Sequence, residues 1–229
     1  MSARSNGTRR DFVADVGRFA SAAVLPTSLT LAAAETTVAG AAPGDWDLSW
    51  LDRLAKATDR AVFDWPSLGD PADPSVFMFA ARYLDNCDVV YGPGKAQVRV
   101  VLNIRTQAVP VALNDALWEK YKLGAEYNAK DPNTKELATL NPFWHRAPSP
   151  GGGYIVPTLG DFIDRGAFFL VCDFALGHLS KRLADKAGTK QEDVHRELRA
   201  GFVPSAYAVP SGIYGLAKAQ NAGCALIRL

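Results

Sequence analysis

An α/β architecture is predicted from the sequence: an open, mostly parallel five-stranded sheet with helices on both faces, in three layers (α/β/α). Two observations carry it. Short apolar runs of strand length alternate with segments whose apolar residues recur at helical spacing, the order that builds right-handed crossovers. Several of these runs, Gln97-Val98-Arg99-Val100-Val101-Leu102-Asn103-Ile104 above all, are nearly continuous in apolar residues rather than alternating, which suits a sheet covered on both sides.

Taken in order, a helix is expected from Leu48 to Thr58, and Ala61-Val62-Phe63-Asp64-Trp65 is a buried strand closed by Pro66. Residues 74–86 place Val76, Phe77, Phe79, Ala80, Tyr83 and Leu84 at helical spacing before the second strand, Gln97 to Ile104. Val111 to Tyr121 reads as one helix, with Leu113, Leu117 and Tyr121 four apart and Gly124 just past its end. Gly160 to Arg165 is helical and stops at Gly166. The third strand is Ala167 to Cys172, followed by a helix from Phe174 to Ala187 that ends at Gly188. A short helix over Asp193–Leu198, a fourth strand over Ser205–Val209, a helix over Ser211–Asn221 and a fifth strand over Cys224–Arg228 complete the chain.

The 229 residues are 48% hydrophobic and 21% charged, enough for one domain with a sizeable core. Twenty-five basic residues against 24 acidic leave a net charge of +1, so no electrostatic footprint for nucleic acid or anionic lipid is expected. Three cysteines exclude a disulfide scaffold, and no Cys-x-x-Cys spacing suggests zinc.

The amino terminus reads as an address. Thr8-Arg9-Arg10-Asp11-Phe12-Val13 precedes an Ala-rich, modestly apolar stretch, with small residues at Ala32-Ala33-Ala34 and Ala39-Gly40-Ala41. That layout is a twin-arginine export signal, which divides the chain into a signal and linker over 1–42 and a single domain over 43–229. Export would need the twin-arginine machinery as a partner and would deliver the domain to the periplasm. The alternative is an amphipathic helix of a cytosolic protein. Residues 122–157 interrupt the strand–helix alternation with Pro, Gly and Asn, an insertion that acts as a lid or partner surface, or as a surface loop with no role.

Cys172 is the residue with chemistry to offer. It ends a strand where a helix begins, among backbone N–H groups that stabilise negative charge on sulfur. A thiolate there can attack a disulfide, accept a sulfane sulfur or become a sulfenic acid. Asp173 opposes this unless its side chain turns away. The other reading of Cys172 is a small core hydrophobe. Asn103 and Arg105 close the second strand and, with Asn114 and Asp115, are placed either in the same crevice or in backbone pairing. Ser211 precedes Gly212 at a helix start, a capping position as well as a candidate binding position. His145 follows Phe143 and Trp144, which can fold over a crevice. His178 lies six residues from Cys172 and on another helix face, and His195 reads as solvated helix surface. Cys87 and Cys224 are either free or paired. Tyr91-Gly92-Pro93-Gly94-Lys95 lacks the spacing of a phosphate loop and reads as a turn, and without a Gly-x-Ser-x-Gly elbow a hydrolase of that type is not expected; no cofactor and no metal are expected either.

Phe168-Phe169-Leu170-Val171-Cys172-Asp173-Phe174-Ala175-Leu176 resembles the strand–Cys–helix signature of the DsrE/DsrF-like sulfur-relay family. Val203 to Leu216 is similar to that family's last strand and helix, and Ala219-Gln220-Asn221-Ala222-Gly223-Cys224-Ala225 to its ending. The resemblance spans Val98 to Leu229 and is strongest after Gly160. It implies a compact parallel α/β sandwich, assembly into trimers or hexamers, and a persulfide on Cys172 exchanged with a sulfur donor or acceptor protein. The export signal and the 122–157 insertion depart from the family pattern. An exported sulfur carrier or thiol-redox protein is therefore one reading, and a non-catalytic oligomeric binding protein on the same fold the other.

Overall fold

The computed structural model describes residues 46–94, 97–145 and 155–228. The export signal expected over 1–42 lies outside them. Five strands, β1 (Asp59–Trp65), β2 (Val98–Ile104), β3 (Phe168–Cys172), β4 (Ala206–Val209) and β5 (Ala225–Ile227), form one sheet in the order β4-β3-β2-β1-β5, with every pair parallel. The fold is thus the open parallel α/β sheet that the continuous apolar runs indicate.

Strand alternation divides the core in two. Ala61, Phe63, Trp65, Val100, Leu102, Ile104, Phe169 and Val171 face the helices Ser75–Tyr91, Asp115–Tyr121, Asp173–Ala187 and Gln191–Ala200. Val62, Val101, Phe168, Leu170 and Val209 face the short helix Trp50–Ala55 and the helix Gly212–Asn221. On the second face the helix stays close because two glycines leave room. A Cβ on Gly212 would lie 2.6 Å from Arg105 Cβ, and one on Gly215 would lie 2.9 Å from Asn103 Oδ1.

The single helix expected over Val111–Tyr121 is instead a 3-10 turn, Thr106–Ala112, then a break, then Asp115–Tyr121. Pro110 brings no N–H, and Leu113 is extended because it bridges Phe202, so the ladder cannot run through. Asn114 restarts the helix by accepting the Leu117 N–H on its side chain at 3.1 Å. Gly124 is not the cap either. Lys122 takes the left-handed conformation, and Gly124 sits inside the next turn, Leu123–Glu126, where a Cβ would lie 2.0 Å from Ala138 O.

The first half of the 122–157 insertion is welded to the core rather than standing off it. Ala129, Ala138, Asn141 and Phe143 are buried, and Phe143 packs edge-on against Trp65 at 5.5 Å. Among the described residues no helix is long and apolar enough to cross a membrane.

Candidate functional site

The carboxyl ends of β1, β2 and β3 bring together three of the five residues singled out from sequence. Asn103 pairs in register with Asp64, and Ile104 with Val171, so the next residues, Arg105 and Cys172, are lateral neighbours. Alternation puts Asp64, Asn103, Arg105 and Cys172 on the face covered by the helix Gly212–Asn221.

Cys172 is the N-cap of the Asp173–Ala187 helix, and its Sγ accepts the Ala175 N–H at 3.4 Å. Arg105 grips Asp64 in a fork, Nε to Oδ1 and Nη2 to Oδ2, both at 2.8 Å. The third nitrogen, Nη1, is not part of that fork. Asn103 donates from Nδ2 to the same Asp64 Oδ1 at 3.3 Å. Its own Oδ1 is buried with no hydrogen-bond partner among the described residues. Burial pushes the Asp64 carboxyl up, but the Arg105 fork, the Asn103 hydrogen bond and the charge of Arg228 outweigh it and hold the group below its ordinary value. Arg105 is held above its ordinary value, chiefly by its hydrogen bond to Asp64, against burial and with the negative charge that Cys172 can carry contributing.

Ser211 is an N-cap, accepting the Tyr214 N–H on Oγ at 3.2 Å. Phe174 N–H donates to Pro210 O at 3.3 Å, so the starts of the Asp173 and Gly212 helices adjoin. Each start carries an exposed apolar side chain, Phe174 at 56% and Ile213 at 70%.

His145 is elsewhere. Its Nε2 meets Asp115 Oδ2 at 2.9 Å, and Phe143, its expected companion over a crevice, is core. Asn114 and Asp115 line a different cavity, bounded by Trp144 and Phe202. His195 differs from its expected place on a solvated helix surface. It is buried, not solvated, and its Nε2 lies 3.1 Å from Asp173 Oδ1, with Arg199 Nε 3.7 Å from the same oxygen. The signal was Val194 and Leu198, whose spacing turns that helix face inward and carries His195 with it. Asp173 therefore does turn away from the sulfur. His178 is exposed, stacked edge-on to Phe174 at 4.7 Å. Cys87 and Cys224 are both free.

Among the described residues no group of three or more His, Cys, Asp and Glu side chains is arranged to hold a metal ion. Cys172 Sγ thus meets a backbone N–H, and the neighbouring strand end carries a guanidinium fixed by a buried acid. Comparison with family models found no match, and comparison with curated proteins found none. A solved structure of a protein of unknown function from Methanobacterium thermoautotrophicum is similar at a TM-score of 0.33 and 12% identity, over 75% of this chain and 99% of that one.

Proposed function

We propose that this is an exported, DsrE/DsrF-like thiol protein that carries sulfur or handles disulfides through Cys172. The observation that carries the reading is the setting of Cys172 Sγ: an N–H donor from Ala175 on one side, and on the other the lateral neighbour Arg105, locked by Asp64. Arg9 and Arg10 ahead of the Ala-rich stretch support export to the periplasm.

In the carrier reaction, the Cys172 thiolate attacks the outer sulfur of a donor persulfide, R–S–SH. A new S–S bond forms, the donor S–S bond breaks, and the donor leaves as the thiolate R–S⁻. Transfer onward repeats the step with an acceptor thiolate attacking the outer sulfur of the Cys172 persulfide, which returns Cys172 as a thiolate. Ala175 N–H and Arg105 face the charge that Cys172 carries before and after each step. Asp64 orients the guanidinium, and Ser211 and Cys172 each cap the helix that follows them. Phe174 and Ile213, exposed at the two adjoining helix starts, are apolar ground for a donor or acceptor, and assembly with further copies of the chain belongs to the same proposal.

Mass measurement of the protein purified without reductant, before and after dithiothreitol, tests it. A reducible gain of sulfur mass that is absent in Cys172→Ala is expected. An unmodified mass, together with no uptake of sulfur from a low-molecular-weight persulfide, would overturn the carrier role. A second reading, a non-catalytic binding protein, is favoured by one observation: Cys172 is buried within the strand-end core.

A further inference from the structure

We infer that the cavity between Asp115, Trp144 and Phe202 binds a small organic cation, an amine carried on an apolar or aromatic body. The site shares no residue with the Cys172 corner and does not depend on its chemistry.

The cavity measures about 450 Å³, within the range of small-ligand sites. Its walls are Ala116, Trp144, Phe202, Val203 and Pro204, with three polar residues, Asn114, Asp115 and Asn141. Two of those three are committed to the framework. Asn114 Oδ1 caps the following helix through the Leu117 N–H. Asn141, fully buried, donates from Nδ2 to Val111 O at 2.8 Å and Leu113 O at 2.7 Å, and accepts the Phe143 N–H at 3.0 Å.

Asp115 is the one charged residue of the wall among the described residues. Its Oδ1 accepts the Asn141 N–H at 2.8 Å, and its Oδ2 meets His145 Nε2 at 2.9 Å. Each oxygen keeps a second lone pair, so the carboxylate is aimed in advance yet can still accept. Gly201, the C-cap of the helix Gln191–Ala200, accepts the Asn114 N–H on its carbonyl at 2.9 Å, which ties the wall residue Phe202 to the start of the Asp115–Tyr121 helix. A preset carboxylate and two aromatic rings together select a cation with an apolar body. An acid would meet like charge, and a neutral alcohol would forgo the charge-assisted bond.

Isothermal titration of the full chain with phenethylamine tests this, with 2-phenylethanol and phenylacetate as neutral and anionic controls. Saturable binding of the amine is expected, with each control weaker by about tenfold or more. Asp115→Asn should weaken the amine by about the same factor, because the charge-assisted bond is lost. Ala116→Phe fills the cavity without altering the carboxylate and should abolish binding, which decides the matter if Asp115→Asn fails to fold. Cys172→Ala should leave amine binding unchanged, so the fate of this site is read separately from that of the sulfur chemistry. Absence of saturable amine binding, phenylacetate binding as tightly as the amine, or amine binding that survives Ala116→Phe would each overturn the inference.

Discussion

Three cysteines of this chain are equally hidden and differently surrounded. Cys172, Cys87 and Cys224 are 5%, 8% and 6% exposed. Cys87 lies on the inner side of the Ser75–Tyr91 helix, where burial pushes its thiol up and the charge of Asp59 adds to the push. Cys224 precedes the edge strand β5, and burial pushes it to about 11 despite the nearby Arg60. Cys172 instead caps a helix, takes a backbone N–H and has Arg105 beside it. The three sulfurs differ in the donor set around them rather than in the area showing, and the chemistry proposed for Cys172 rests on that donor set.

The difference is most sharply broken by deleting each sulfur in turn. Cys172→Ala should abolish the reducible sulfur mass entirely, whereas Cys87→Ala and Cys224→Ala should leave it intact. Next in size is Arg105→Gln, which removes the guanidinium and leaves Asp64 buried without its fork. A fall in Cys172 alkylation rate of about tenfold is expected, the loss of one charge-assisted partner. An unchanged rate would show that Arg105 only ties down Asp64.

His195→Ala tests how far the buried Asp173 carboxylate depends on each of its two partners. It leaves a buried carboxylate short of one partner and should cost about 1–3 kcal/mol in chemical denaturation. A loss within error would mean that Arg199 alone suffices. Gly212→Ala forces a Cβ against the Arg105 stem and should cost about 1–3 kcal/mol by overpacking, with a slower Cys172 as its companion effect. Smallest is the alkaline limb. The Cys224 thiol is held above its ordinary 9.0, so the stability it contributes is complete below pH 9 and is lost as pH rises toward about 11. Melting temperatures measured across that window should fall less steeply in Cys224→Ala than in the parent chain.

Much of this was legible in the sequence because strands buried on both faces write themselves as continuous apolar runs. Val98–Ile104 and Phe168–Cys172 needed no tertiary information to be found. Residues 111–121 are helical in spacing, yet Leu113 is claimed by Phe202 from 89 residues away, a pairing that local periodicity does not encode. Asn103, Arg105 and Cys172 could be named as strand-end residues. Their grouping required the register, and the role of Asp64 required seeing the Arg105 fork. His195 looked solvated because its neighbours Glu192, Asp193, Arg196 and Glu197 are charged, although Val194 and Leu198 fix which side is inward. Gly212 and Gly215, three apart in one helix, mark where Arg105 and Asn103 press against that helix from below.

The most direct test of the account is site-resolved alkylation of the native, reduced protein with iodoacetamide at neutral pH, followed by mass mapping of the three cysteine peptides over time. Cys172 is expected to be labelled first and faster than an unstructured thiol, with Cys87 and Cys224 labelled only once denaturant is added. Labelling of all three together on unfolding, with Cys172 inert in the native state, would contradict it.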